Sequence, residues 1–229
     1  VKTLLVILSY AKANETVARH WPYYELTGCN ILGVGREDSD CRWPTGPENR
    51  SMIGHIEVGK DSYVNGDNLC RRIVDVLERL VDGQEFQAYT DFLLTEHDAI
   101  FLHGLPGHMG GMITTLGGYG GSGFTGTKFY HGPWWVDRQT AGEMVLYGRR
   151  MLKLGLIETG FPDRFIGLMD DLYDLGVSYS DEWTYSRNAL DRPEYIQEAR
   201  KAIERGAWYV HGIKTEAQLK AVTEGVVSV

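Results

Sequence analysis

Tyr89-Thr90-Asp91-Phe92-Leu93-Leu94-Thr95-Glu96-His97-Asp98-Ala99-Ile100-Phe101 is a short apolar run that ends in two carboxylates, followed at once by a second apolar run. Alternate residues of a strand point to the same face. Glu96 and Asp98 can therefore offer oxygens to one hard cation at a strand end. A divalent cation held by few carboxylates keeps open positions, which phosphate oxygens commonly take. On its own the triplet also reads as two solvated acids in a turn between strands. Its surroundings carry the argument further.

Upstream, Leu4-Leu5-Val6-Ile7-Leu8 predicts a buried strand. Asn14 offers a cap for a helix reaching about Leu26, which Pro22 should stop or kink. Asn30 to Val34 predicts a second strand, followed by Gly35-Arg36-Glu37-Asp38-Ser39-Asp40. Strand, helix and strand within about 35 residues is the length of a βαβ unit, which implies a right-handed crossover and a parallel sheet. Residues 41–65 are turn-rich and resist assignment. Asp67 to Asp82 is an amphipathic helix, with Leu69, Ile73, Val76, Leu77 and Leu80 on one face and Gly83 as its stop. In an open α/β sheet, ligands bind outside the carboxyl ends of the strands. Ser9-Tyr10, Asp38-Ser39-Asp40 and the Glu96/Asp98 pair all fall at such ends.

Downstream, Gly104 to Gly126 is rich in glycine but has no G-x-x-x-x-G-K-[ST] pattern, so it is no Walker loop. It reads either as a surface loop or as a mobile lid on the acceptor side. Asp137 to Leu154 predicts a helix stopped by Gly155, and Asp163 to Leu175 is mixed. Pro193 begins a helix that ends at Gly206, Ala207 to Val210 is a short strand, and Thr215 with Gln218 forms a capping box.

The chain has 229 residues, 43% of them hydrophobic and 24% charged, which fits one α/β domain over residues 1–229. The first half, 1–98, would hold a nucleotide, and 99–229 would hold the acceptor and the catalytic groups. No apolar run approaches the roughly 18 residues of a membrane span. Leu4 to Leu8 is short and lacks a cleavage pattern, so no signal peptide is expected. Three widely spaced cysteines, Cys29, Cys41 and Cys70, fit no zinc pattern and point to a reducing, cytoplasmic setting. A net charge of -8 argues against nucleic-acid binding over the whole surface. A local basic groove stays open, with Arg71, Arg72, Lys128, Arg149, Arg150 and Lys153 as its candidates.

Four segments in order, Val6-Ile7-Leu8-Ser9-Tyr10 with Glu37-Asp38-Ser39-Asp40, Glu96-His97-Asp98, Gly167-Leu168-Met169-Asp170-Asp171-Leu172-Tyr173-Asp174-Leu175, and His211-Gly212-Ile213-Lys214, resemble the GT-A fold glycosyltransferases, most closely the family-2-like inverting group. The resemblance implies a Rossmann-like, mostly parallel central sheet flanked by helices. It places Ser9, Tyr10, Asp38 and Asp40 at the nucleoside. Glu96-His97-Asp98 stands for the D-x-D signature, with Glu in place of the first Asp. It implies that Glu96, Asp98 and His211 hold Mn²⁺ or Mg²⁺ and that Lys214 meets the diphosphate of a UDP-sugar. Asp171, with Asp170 next, would be the base that takes the acceptor proton. His131, Trp134, Trp135, Asp137 and Arg138 would border the donor sugar and the acceptor, which would be a glycan or a hydroxymethylated DNA base; Trp134-Trp135 reads equally as core packing.

Two other readings stay open. A nucleotidyltransferase making sugar nucleotides needs a glycine-rich loop after the first strand, where this chain has Ser9-Tyr10-Ala11-Lys12-Ala13-Asn14. A non-catalytic carbohydrate-binding protein would use the aromatic residues and would bind a glycan without UDP or metal.

Overall fold

The computed structural model of the chain describes residues 2–37, 40–44, 51–59, 67–106, 111–115, 131–156, 162–179, 184–187 and 189–225. The apolar run near the amino end forms β1 (Thr3–Leu8), with five consecutive buried residues. After a 3-10 turn come α1 (Asn14–Glu25), β2 (Asn30–Gly35), β3 (Met52–Glu57), α2 (Asp67–Asp82), β4 (Asp91–Glu96) and β5 (Ala99–Phe101). Then follow β6 (Ile113–Thr115), β7 (His131–Asp137), α3 (Arg138–Leu154), α4 (Pro162–Tyr173) and β8 (Ser178–Tyr179). The chain closes with β9 (Thr184–Tyr185), α5 (Pro193–Glu204), β10 (Tyr209–His211) and α6 (Glu216–Thr223).

The large sheet has the order β3-β2-β1-β4-β7-β6-β8, and a small one has the order β5-β10-β9. β3, β2, β1 and β4 run parallel, and β8 is parallel to β6. In the large sheet, β7 is antiparallel to both its neighbours. The architecture is thus a mixed α/β domain with a mainly parallel central sheet flanked by helices, as expected.

Period-two alternation decides which core each strand residue joins. Leu4, Val6, Leu8, Phe92, Leu94, Trp134 and Val136 face α2, α3 and α4. Leu5, Ile7, Leu93 and Trp135 face α1 and the small sheet, together with Trp21, Tyr24, Phe101 and Tyr209. A third core, with Ile100, Val210, Ile203 and Leu219, lies between the small sheet and helices α5 and α6. Both faces of β1, β2 and β4 are covered, which explains their runs of consecutive buried residues, whereas the edge strand β3 alternates between half-buried and exposed residues.

Several local rules hold. Asp137 caps α3 by accepting from the Thr140 amide at 2.7 Å, and Gly155 ends it in the left-handed region at φ 66°. Pro193 opens α5, and the Thr215/Gln218 capping box is formed. Pro22 does not stop α1. It deletes only the hydrogen bond to the Ala18 carbonyl, and both residues are exposed, so water can replace it. Asn14 does not cap α1. Its side chain instead donates to the Asp40 carbonyl at 2.9 Å and accepts from the Arg42 amide at 2.8 Å.

The aromatic segment after residue 130 is a strand. Trp134 and Trp135 are buried on opposite faces of the large sheet, so they pack cores and present no platform to a sugar. Asp137 lies opposite Asp91, at the amino end of β4 and away from Glu96. Besides capping α3, it accepts from the Gly111 amide at 3.0 Å. Arg138 sits at the start of a helix, where the dipole disfavours a cation. It is held there by donating to the carbonyls of Leu80, Val81, Phe86 and Tyr89, most of them freed at the end of α2 and in the turn after it. Asp163 to Leu175, mixed in the sequence reading, is mostly the helix α4.

Candidate metal centre

β4 ends at Glu96, level with Leu8 of β1, and the His97 amide donates to the Leu8 carbonyl at 3.1 Å. The chain then leaves the large sheet and enters the small one at Ala99, so His97 and Asp98 link the two. Ala99 pairs with His211 across β5 and β10. The amides of Gly212 and Ile213 both donate to the Asp98 carbonyl, at 3.1 and 2.8 Å. This backbone pinning sets the side chains. His211 Nε2 lies 3.0 Å from Glu96 Oε2 and 2.9 Å from Asp98 Oδ1. One donor atom from each residue lies within 4.8 Å of the others. A single Nε2–H can serve one carboxylate, and its hydrogen bond goes to Glu96.

Burial alone would raise the Asp98 carboxyl, but the His211 charge and Lys214 hold it well below the usual carboxylate range. Burial alone would lower His211, but Asp98 and Glu96 outweigh it and lift the imidazole to about 10. Without a cation the ring is thus the positive charge between two carboxylates. Lys214 Nζ lies 3.9 Å from Asp98 Oδ2 with its side chain 53% exposed, and Glu96 is 47% exposed. Asp98 is the buried donor, while Glu96 and Lys214 reach the site from side chains about half exposed. Two carboxylates and an imidazole form a mixed oxygen and nitrogen donor set that could hold a divalent metal ion. The residues fit such a cation.

Sequence reasoning missed what holds the link. The Tyr24 hydroxyl donates to the His97 carbonyl at 2.7 Å, and His20 Nδ1 lies 3.2 Å from the same oxygen. Burial pulls His20 down to about 4, so it is neutral at pH 7 and donates through Nδ1–H. The signal was legible: His20 and Tyr24 are four apart, on the buried face of α1. Tyr10 meets the His97 ring edge-on at 4.8 Å, and the Arg36 guanidinium lies 5.1 Å from the Tyr10 ring centre. Ser9 and Tyr10 therefore do lie beside Glu96-His97-Asp98.

Arg72 was also missed in its true place. It is buried, and its Nη2 donates to the carbonyls of Ser9, Val34 and Gly35 at 2.9 to 3.0 Å, while Nε donates to Val58 at 3.1 Å. It ties together the carboxyl ends of β1, β2 and β3 and offers nothing to a DNA backbone. Arg149 is likewise engaged, with Asp75 at 2.7 Å and with Glu78. Lys128 lies outside the described residues, while Arg71, Arg150 and Lys153 are exposed.

Other expected site residues are not gathered here. Asp38, the His131 side chain and most of the glycine-rich segment lie outside what is described. Asp40 is exposed and pairs with Arg42 at 3.3 Å, near the start of α1. Asp170 and Asp171 sit in the last turns of α4, which packs with α2 and α3 on the face of the large sheet opposite α1 and the small sheet. Asp170 is buried and accepts from the Val177 amide at 3.3 Å, just before β8, three strands from β4.

Gly212 explains the glycine in His211-Gly212-Ile213-Lys214. Its φ is 93°, and a Cβ there would lie 2.3 Å from the Arg187 carbonyl oxygen. Backbone cannot step aside as a side chain can. Gly212→Ala is expected to cost about 3 kcal/mol in chemical denaturation. A cost below about 1 kcal/mol would show that the turn re-forms without strain.

No protein-family model matches this chain, and no curated protein matches it. No helix among the described residues is long and apolar enough to cross a membrane.

Proposed function

We propose that this chain is a metal-dependent glycosyltransferase of the GT-A type, moving a sugar from a nucleoside diphosphate donor, a UDP-sugar, to an acceptor hydroxyl. One observation carries the reading: Glu96, Asp98 and His211 converge at the carboxyl end of β4, with Lys214 beside them and the end of β1 adjacent. Ligands of open α/β sheets bind at this edge. A bound Mn²⁺ would supply positive charge to the departing diphosphate, the main electrostatic demand of the transfer.

The chain's own residues divide the work. Asp98 and His211 hold fixed donor positions, because both are buried and backbone-pinned. Lys214 swings from Asp98 toward phosphate oxygens. Ser9 and Tyr10 border the nucleoside from the end of β1. The acceptor is a glycan or a hydroxymethylated base. Asp171 has no part as the base in this reading, because α4 packs on the face of the large sheet opposite the small sheet. The rival reading as a sugar-binding module loses support, since Trp134 and Trp135 are core residues.

The test is release of UDP from UDP-glucose and UDP-galactose, with Mn²⁺, with EDTA, and with Mn²⁺ restored. Turnover should vanish with EDTA and return with excess Mn²⁺. Turnover indifferent to EDTA would sink the metal assignment. Absence of calorimetric UDP binding in the presence of Mn²⁺ would sink the donor assignment.

A further inference from the structure

We infer that Ser186 is a positioning residue of the metal centre, holding the His211 imidazole so that Nε2 faces the bound cation. The inference rests on the metal reading above and deepens it. β9 and β10 pair in parallel, with Thr184 opposite Tyr209 and Tyr185 opposite Val210. The next residue of each strand is Ser186 and His211, so the register itself brings them side by side. Ser186 Oγ lies 3.2 Å from His211 Nδ1. The other nitrogen, Nε2, faces Glu96 and Asp98.

An imidazole gives a cation the lone pair of Nε2 only when its remaining proton is on Nδ1. With Nε2 given to the cation, the Ser186 hydroxyl oxygen accepts the Nδ1 proton and so holds the ring in that orientation. Metal-ligating histidines almost always donate their second ring N–H to such a partner, and losing it typically costs ten- to a hundredfold in metal affinity. The serine is itself held in place. Arg187 beside it donates to Glu198 at 3.1 Å, and the Leu190 amide donates to the Gly212 carbonyl at 3.0 Å. The bare Cα of Gly212 lets the Arg187 carbonyl approach. Arg187 and Leu190 are therefore both held against Gly212, the residue that follows His211.

The experiment is Mn²⁺ titration by calorimetry, without substrate, on wild type, Ser186→Ala and Ser186→Thr, with metal-free melting temperatures alongside. Ser186→Ala should weaken Mn²⁺ about ten- to a hundredfold at an unchanged metal-free melting temperature. Ser186→Thr should stay within about threefold of wild type, because it keeps the hydroxyl. If alanine lowers the melting temperature, Ser186→Thr against Ser186→Val, two side chains of one shape, makes the comparison. Wild-type affinity in Ser186→Ala overturns the inference, as does an equal loss in the threonine and valine variants. Absence of Mn²⁺ binding by the wild type overturns the metal reading itself, a result distinct from either.

Discussion

Asp98→Asn is expected to remove the cation site, with turnover falling at least a hundredfold, and to destabilise the cation-free protein by about 3 kcal/mol. Asparagine keeps the shape and loses the charge. In the cation-free protein the buried Asp98 carboxylate and the His211 imidazolium are mutual partners at 2.9 Å. Losing the Asp98 charge leaves the buried His211 imidazolium facing the half-exposed Glu96. Asp98 titrates below its unfolded value in the folded chain, so its contribution is present above about pH 4 and fades as pH falls. His211 titrates at about 10 instead of 6.5, so its contribution is complete below pH 6.5 and is lost as pH rises through 10. Cation-free wild type should therefore lose stability between pH 7 and pH 10 in urea denaturation, and Asp98→Asn should be flatter over that range. A cation must displace the Nε2 proton, so wild-type Mn²⁺ affinity should rise with pH. Wild-type Mn²⁺ affinity in Asp98→Asn would remove Asp98 from the donor set.

The second large effect is expected at Arg72. Arg72→Met keeps the length of the stem and removes donors to four carbonyls at the ends of β1, β2 and β3. The Val34 and Gly35 carbonyls also accept from the Ser9 and Val58 amides, so the loss falls mainly on the Ser9 and Val58 carbonyls. At roughly 1 to 3 kcal/mol for each buried carbonyl that loses its donor, a net loss of about 3 kcal/mol is expected in denaturation. Arg72→Lys should recover only part of it, because one ammonium cannot span the fan of acceptors that a planar guanidinium reaches. The Ser9 carbonyl is one of the four, so UDP binding should weaken while Mn²⁺ affinity holds. A loss below 1 kcal/mol would show that water replaces the clamp.

What the sequence made legible was local. The apolar run of β1, the amphipathic face of α2, the Thr215/Gln218 box and Pro193 each follow from a rule acting over a few residues. Glu96 and Asp98 were readable because they end a strand. For Trp134-Trp135 the core-packing reading is the one the structure takes, with one residue in each core as period two requires; the neighbouring His131, Gly132 and Pro133 masked the strand. Arg138 carried a signal as a cation at a helix start. Ser186 carried none. Its place depends on a two-residue strand pairing with β10 across 25 residues of chain. Which charged residues turn inward, as Arg72 does, is likewise set by carbonyls from three different strands.

The link between the sheets has a kinetic consequence. Glu96 and His211 are 115 residues apart, so their meeting is among the most non-local contacts of the chain and must await docking of the small sheet on the large one. A cation bridging them would stabilise the docked state and would act mainly on the rate of opening. The amides of Gly212 and Ile213, both bonded to the Asp98 carbonyl, are natural reporters of that docking. Their hydrogen exchange should slow on adding Mn²⁺, while amides deep in β1 and β4, which open only with the whole domain, should respond just to the gain in global stability.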